Sequence, residues 1–371
     1  MDETAVTLFL AGDVMTGRGV DQILGHPSNP ELHEPYVSDA REYVRLAEQV
    51  TGPLPRGVSS DYIWGDGLAE WKRMAPAARV VNLETSITRS DQHEPKGINY
   101  RMHPDNIGCL RAAAIDICIV ANNHVLDYGP QGLVETLEAL ERAGIRSVGA
   151  GRNRDAAVRA VVHALPGGRH LIVGACAHDS SGVPDDWAAL SQEPGINLLP
   201  DLSDDTATDV AGRVARDKLP GDVAAMSIHW GGNWGYDVPR QHISFAHRLV
   251  EGGIDIVYGH SSHHVRPIEI YRDRLILYGC GDFIDDYEGI AGHEEYRDDL
   301  VLMFFPSLSP QTGQLLTLEM TPLQIRRMRL NRASQADLRW ICDRVNTVSR
   351  RFGTQMSPTE QGTLRLSDGR Q

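Results

Sequence analysis

The chain has 371 residues, of which 41% are hydrophobic and 23% charged, and its formal net charge is −14 with histidine neutral. This length and composition suit a soluble globular protein of one large domain or two modest ones. The acidic balance argues against nucleic acid or an anionic membrane as the main partner, because both require a basic surface.

The N-terminal residues run directly into a strand-like Val6-Thr7-Leu8-Phe9-Leu10, with no basic leader or cleavage site. No apolar run reaches the roughly 18 residues needed to span a bilayer, so a cytoplasmic, non-spanning protein is expected. Short apolar runs predict strands at 6–11, 79–83, 115–120, 171–176, 223–229, 254–258 and 275–279. Helical spacing predicts helices over 131–143, with Leu133, Leu137 and Leu140 inward, and over 240–251, with Phe245, Leu249 and Val250 inward. Gly144 and Gly252-Gly253 follow these helices as stop signals. Strands alternating with helices are the signature of an α/β fold. The chain divides into a main domain, 1–330, and a C-terminal helix with a polar tail, 331–371. Residues 25–60 and 177–215 are expected as loop-rich excursions, and 354–371 as a frayed end. The five cysteines, Cys109, Cys118, Cys176, Cys280 and Cys342, lack any C-x-x-C pair and are expected as buried free thiols.

The chemistry-bearing residues gather at the carboxyl ends of these strands, where α/β sheets bind ligands. Asp13 closes the first strand among glycines, although an aspartate there could equally cap a helix. Glu84 follows Val80-Val81-Asn82-Leu83, and Asn123 and His124 follow the 115–120 run. His229 closes Ala224-Ala225-Met226-Ser227-Ile228. His260 and His263 follow Ile254-Asp255-Ile256-Val257-Tyr258-Gly259, placed on a tight turn to hold a metal or move protons. Trp230 and Trp234 stand among glycines, where an aromatic face can be left for a ligand. Arg18, in the glycine-rich turn after Asp13, is a further substrate-binding candidate.

Six motifs resemble the CapA family of poly-γ-glutamate (capsule) synthesis, within the calcineurin-like metallophosphoesterases. They are Gly12-Asp13-Val14-Met15, Asn82-Leu83-Glu84, Ala121-Asn122-Asn123-His124-Val125-Leu126-Asp127, His229-Trp230-Gly231, Gly259-His260-Ser261-Ser262-His263 and Gly279-Cys280-Gly281-Asp282-Phe283. The resemblance covers about residues 5–306. It implies an αββα sandwich of two mixed sheets flanked by helices, and a metal site at one edge lined by Asp13, Glu84, Asn123, His229, His260 and His263.

Two departures bear on function. Calcineurin-like phosphatases typically begin Asp-x-His, whereas Met15 stands two residues after Asp13 here. Loss of that nitrogen leaves an oxygen-rich donor set, favouring Ca²⁺, Mg²⁺ or Mn²⁺ over a dinuclear Zn/Fe centre. In addition, the 282–297 loop carries Asp282, Asp285, Asp286 and His293 where capsule-type members end more simply in Gly-Asn-Phe. An acidic surface loop would explain this, but so would a second His/carboxylate pair.

A CapA-like chain with additional His/Asp pairs resembles the lasso-peptide epimerases, which invert the Cα of a C-terminal tryptophan in a precursor peptide. Inversion needs an acid/base on each face of Cα. The resemblance implies Asp13 with His260 on one face and His293 with Asp282, Asp285 or Asp286 on the other, His124 being a further acid/base candidate. The expectations are ordered as metal-dependent peptide epimerase, then metal-dependent hydrolase of phosphoesters or amides, then capsule-assembly accessory protein. The last is disfavoured by the lack of a signal or membrane anchor. The partner expected is the C-terminus of a precursor peptide.

Overall fold

The computed structural model describes residues 5–216 and 218–367. Two mixed sheets form its centre. The larger runs in the order Met356–Pro358, Leu364–Leu366, Leu315–Ile325, Leu300–Leu308, Val6–Val14, Ala78–Leu83, Ile117–Ile119 and Arg146–Val148. Its last four strands are mutually parallel, while Leu300–Leu308 and Leu315–Ile325 are antiparallel to their neighbours. The second sheet runs Ile268–Tyr271, Arg274–Leu277, Ile256–His260, Val223–His229, Arg169–Ala177 and Val161–Leu165, with four parallel central strands and an antiparallel strand at each edge. This is the expected α/β sandwich of two mixed sheets flanked by helices.

Strand periodicity decides which way each side chain points. In the second sheet, Leu171, Val173, Val223, Ala225, Ile256, Tyr258, Leu275 and Leu277 enter one core shared with the larger sheet. Their alternates, Ile172, Cys176, Ala224, Met226, Ile228, Val257 and Ile276, pack against helices Asp204–Ala215 and Arg240–Glu251. The same alternation sends Ser227, His229 and His260 towards the larger sheet. Phe9 and Phe283 of the larger sheet meet Trp71 of helix Gly67–Met74, with the Phe9 and Trp71 rings 5.1 Å apart edge to face, and Phe305 packs on Phe9.

Both expected helices form, at Gly129–Arg142 and Arg240–Glu251, and the five cysteines are buried and free. Five expectations need correction. The 25–60 excursion contains the helix Arg41–Thr51, which buries Tyr43, Val44 and Ala47. The last third of the 177–215 excursion is the helix Asp204–Ala215, whose Ala207, Val210, Ala211 and Val214 form one buried face. Small alanines and a polar start had masked that spacing. The end expected to fray returns as the hairpin Met356–Pro358 and Leu364–Leu366 on the larger sheet's edge. Buried Met356 and Leu364 anchor it, and the Asn346 side chain bonds both the N–H and the carbonyl of Met356. Residues 368–371 of that tail lie outside the described residues. Gly259 starts no turn: the strand continues to His260, and a Cβ at 259 would lie 2.5 Å from the Trp230 indole nitrogen.

Trp230 is the fifth correction. It is 1% exposed, stacks on His242 at 4.5 Å, and donates its indole N–H to the Tyr278 carbonyl. It is a core residue with no face left for a ligand. Trp230→Ala should cost about 3–5 kcal/mol of stability, the usual range for a buried aromatic. Urea unfolding would measure this, and a change below about 1 kcal/mol would contradict the assignment.

Candidate metal centre

The carboxyl ends of parallel strands from both sheets meet at one edge. Asp13 lies in register with Asn82 on one side and Asp282 on the other, and His229 lies in register with His260. The ladder is irregular on both sides of Asp13, a local break of the kind that re-aims a side chain. Gly12 permits this: a Cβ there would lie 1.6 Å from the Gly281 carbonyl oxygen, and that same carbonyl accepts the Asp13 N–H at 3.0 Å. After His260 the chain turns through Ser261 at φ +106°, a costly conformation for a residue with a side chain, with its Oγ tied to the Gly231 carbonyl.

Two donor groups share Asp13. Ligand atoms of Asp13, His229 and His260 lie within 4.8 Å of one another, as do those of Asp13, His263 and Asp282. Asn82 donates to both Asp13 Oδ1 (2.8 Å) and Glu84 Oε2 (3.0 Å), and Asn122 in turn fixes Asn82. His229 Nε2 lies 3.0 Å from Asn123 Oδ1, which leaves Nδ1 facing His260 Nδ1 at 2.6 Å. Ser227 Oγ holds the opposite edge of His260, and Asp282 spans His263 Nδ1 at 3.0 and 3.1 Å.

Burial pushes the Asp13 carboxyl above its ordinary range. It pushes Glu84 and Asp282 further up, and the charge of Asp13 adds to both shifts. Burial drives His229 well below its usual value, lowers His260 to about 3, and lowers His263 as well. Three crowded acids beside three imidazoles held neutral is an arrangement that a divalent cation relieves, since bound ligands must be deprotonated. Among the described residues Asp13 Oδ2 is buried without a hydrogen-bond partner, so it has an oxygen to give. These residues therefore fit a divalent ion. The donor set is mixed rather than oxygen-rich as expected. One group offers two nitrogens and one oxygen, the other one nitrogen and two oxygens.

A cleft of about 660 Å³ opens over this edge. Its lining includes Glu84, Asn123, His124, His263, Trp234 and His293, with Tyr36 and Pro184 arriving from the two excursions. His124 Nε2 lies 4.0 Å from Glu84 Oε1, while its Nδ1 bonds Asp127 Oδ2 at 2.7 Å. Burial lowers His124 to about 4. Lys96 pairs with Asp127 at 2.6 Å. Asp127 and Lys96 are functional neighbours that the sequence analysis missed, although the three-residue spacing from His124 to Asp127 offered a local signal.

The edge thus brings together Asp13, Glu84, Asn123, His229, His260 and His263, with His124 beside them. The expected second acid/base pair does not form. Asp282 bonds His263, Asp286 is locked to Arg18, and Asp285 accepts the Tyr287 N–H. His293 instead stacks on Trp234 at 3.8 Å. The loop's carboxylates turn inward because Asp282 and Phe283 belong to a strand paired with Val6–Val14, whereas His293 lies in the exposed turn beyond.

Fold and site together define a two-sheet α/β protein with a cation-competent centre at a strand edge. A model of the family described as bacterial capsule synthesis protein PGA_cap matches residues 7–287, and the chain belongs to that family. It is 51% identical over 353 residues to the "Probable polyglutamine synthesis accessory protein Rv0574c" of Mycobacterium tuberculosis, covering 95% of this chain and 93% of that one. It is 23% identical over 290 residues to the "Capsule biosynthesis protein CapA" of Bacillus anthracis, covering 76% of this chain and 60% of that protein. Among solved structures, a 5'-nucleotidase precursor from Thermus thermophilus aligns with a TM-score of 0.44 and 13% identity, over 86% of this chain and 54% of that one. No helix among the described residues is long and apolar enough to cross a membrane.

Because Asp13 belongs to both donor groups, Asp13→Asn should lower bound divalent metal at both positions. His229→Ala and His263→Ala should each deplete one. Elemental analysis after reconstitution with Zn²⁺ and with Mn²⁺ would show this, and full metal retention by Asp13→Asn would refute the shared-ligand arrangement.

Proposed function

We propose that this chain is a metal-dependent hydrolase that serves glutamate-polymer synthesis, cleaving an amide or phosphoester bond within its strand-edge cleft. The single observation that carries the proposal is the buried Asp13, a member of two donor groups, one of which reaches the cleft through His263, where His124, paired with Asp127, also lines the wall. Family membership and the relatives named for capsule and polyglutamine synthesis give the polymer context. When bound, a divalent cation supplies Lewis-acid polarisation of a carbonyl or phosphoryl oxygen.

The chain's own residues supply the proton chemistry and the orientation. Asp127 holds His124 through Nδ1, so Nε2 is the atom presented to the cleft, where the neutral imidazole would take a proton from the attacking water and pass it to the leaving group. Asp127 is itself fixed by the Tyr100 N–H at 2.6 Å and by Lys96, which keeps the imidazole plane set. Tyr100 stacks on His124 at 3.9 Å and shields that ring.

Cα inversion is the weaker reading, because the His293–carboxylate pair expected for the second face does not form, His293 stacking on Trp234 instead, and the relatives are named for capsule and polyglutamine synthesis. Metal-loaded protein should shorten poly-γ-glutamate, followed by gel and mass spectrometry, or hydrolyse bis(p-nitrophenyl) phosphate. EDTA should abolish the reaction. His124→Asn should slow it by about 10²–10⁴-fold, the usual worth of general acid–base catalysis, with metal content unchanged. Cα deuterium uptake by a peptide in D₂O, without cleavage of either substrate, would replace hydrolysis by epimerisation.

A further inference from the structure

Beside the metal centre, the cleft wall contains a buried ion-pair cluster that the proposed chemistry does not use. Arg18 is held at φ +42° with its side chain 3% exposed. Its Nε and Nη2 bond both oxygens of Asp286, at 3.2 and 2.5 Å, and Asp286 also accepts the Gly19 N–H at 2.7 Å. Asp286 is therefore the fixed counter-ion. The remaining edge of the guanidinium, Nη1, donates to Glu34 Oε1 at 3.1 Å, and the Tyr43 hydroxyl donates to Glu34 Oε2. The guanidinium carbon lies 3.7 Å from the Tyr43 ring centre and 4.7 Å from that of Tyr100.

Glu34 differs from Asp286 in its setting. It sits in the 26–39 segment, which has no helix or named strand beyond an isolated Glu31–Asp39 bridge. Among the described residues its carboxylate is bonded only by Arg18 and Tyr43. Arg18, Glu34, Tyr43 and Tyr100 all line the same cleft as Glu84, His124 and His263, and Tyr36, two residues on, is 97% exposed at its rim. One positive charge facing two carboxylates already leaves this buried cluster one unit negative. A third carboxylate could not join it; it could only exchange for one of the two, and Glu34 is the one not held by backbone.

We propose that Arg18 and Tyr43 form a carboxylate-binding subsite beside the metal centre, and that Glu34 fills it as an internal stand-in which a ligand carboxylate displaces. The subsite would seat one free carboxylate of a peptide or of a glutamyl unit. The latter identity rests on the glutamate-polymer reading above, and the Arg18 geometry does not depend on it. The guanidinium edge and the phenol hydroxyl give such a group two donors, in the paired manner that makes arginine selective for carboxylates.

The test is calorimetric titration of wild type and Glu34→Gln with three probes: a short γ-glutamyl oligomer, tetra-alanine with a free C-terminus, and tetra-alanine amide. Removing the competing charge should tighten binding of the free-carboxylate peptide by about tenfold, the scale of one charge-assisted hydrogen bond. The amide should bind the two proteins alike. A Tyr43→Phe change added to Glu34→Gln should reduce the gain. Equal or weaker binding of tetra-alanine by Glu34→Gln would overturn the proposal. A gain for tetra-alanine with no binding of the γ-glutamyl oligomer would keep the subsite and discard the glutamate-polymer reading. If Glu34→Gln does not fold, Glu34→Asp, which shortens the reach to Arg18, should give a smaller gain of the same sign, and no gain would again overturn the proposal.

Discussion

Three carboxylates, Asp13, Glu84 and Asp282, are crowded together out of water at the edge where the two sheets meet, and the rest of the molecule is arranged around that cost. Isolated buried carboxylates are strongly disfavoured, and mutual repulsion adds to the penalty. Part of the relief is built in. Asn82 donates to two of the acids, and His263 faces the third. The remainder calls for positive charge that the polypeptide does not supply at that point. Arg18 is already engaged with Asp286 and Glu34, and Lys96 with Asp127. A bound divalent ion supplies it, and the neutral imidazoles of His229 and His260 are in the state needed to share in holding it.

Two features of the fold make the crowding possible. Parallel strands in both sheets end at the same edge, and strand alternation directs His229 and His260 away from the outer helices and towards Asp13. The Gly12–Gly281 approach then brings the first strand against Asp282 from the far end of the domain. Any side chain at Gly12 would force these backbones apart, and with them the two donor groups.

Much of this was legible in the sequence. Apolar β-branched runs ending in Asp13, Glu84, Asn123, His229 and His260 announced both the α/β fold and a common strand-end site, since period-2 patterning is local information. The pairing of partners was not legible. Whether Asp282 serves His263 or His293 depends on its register with Asp13, a contact between opposite ends of the chain. Glycines around Trp230 looked like an open setting but are there because neighbouring backbone and rings press close, as at Gly259. The Asp204–Ala215 helix was obscured by its small apolar residues, and the C-terminal hairpin by its polarity, although each is fixed by a few well-placed buried groups.

Asp13, common to both donor groups, would join two cation positions into one centre. Electron paramagnetic resonance of the protein reconstituted with Mn²⁺ addresses it directly, because two ions sharing a carboxylate ligand are close enough for their spins to couple. A shared Asp13 should give a spin-coupled manganese pair once two equivalents are bound. A spectrum of isolated Mn²⁺ alone, saturating at one equivalent, would contradict it.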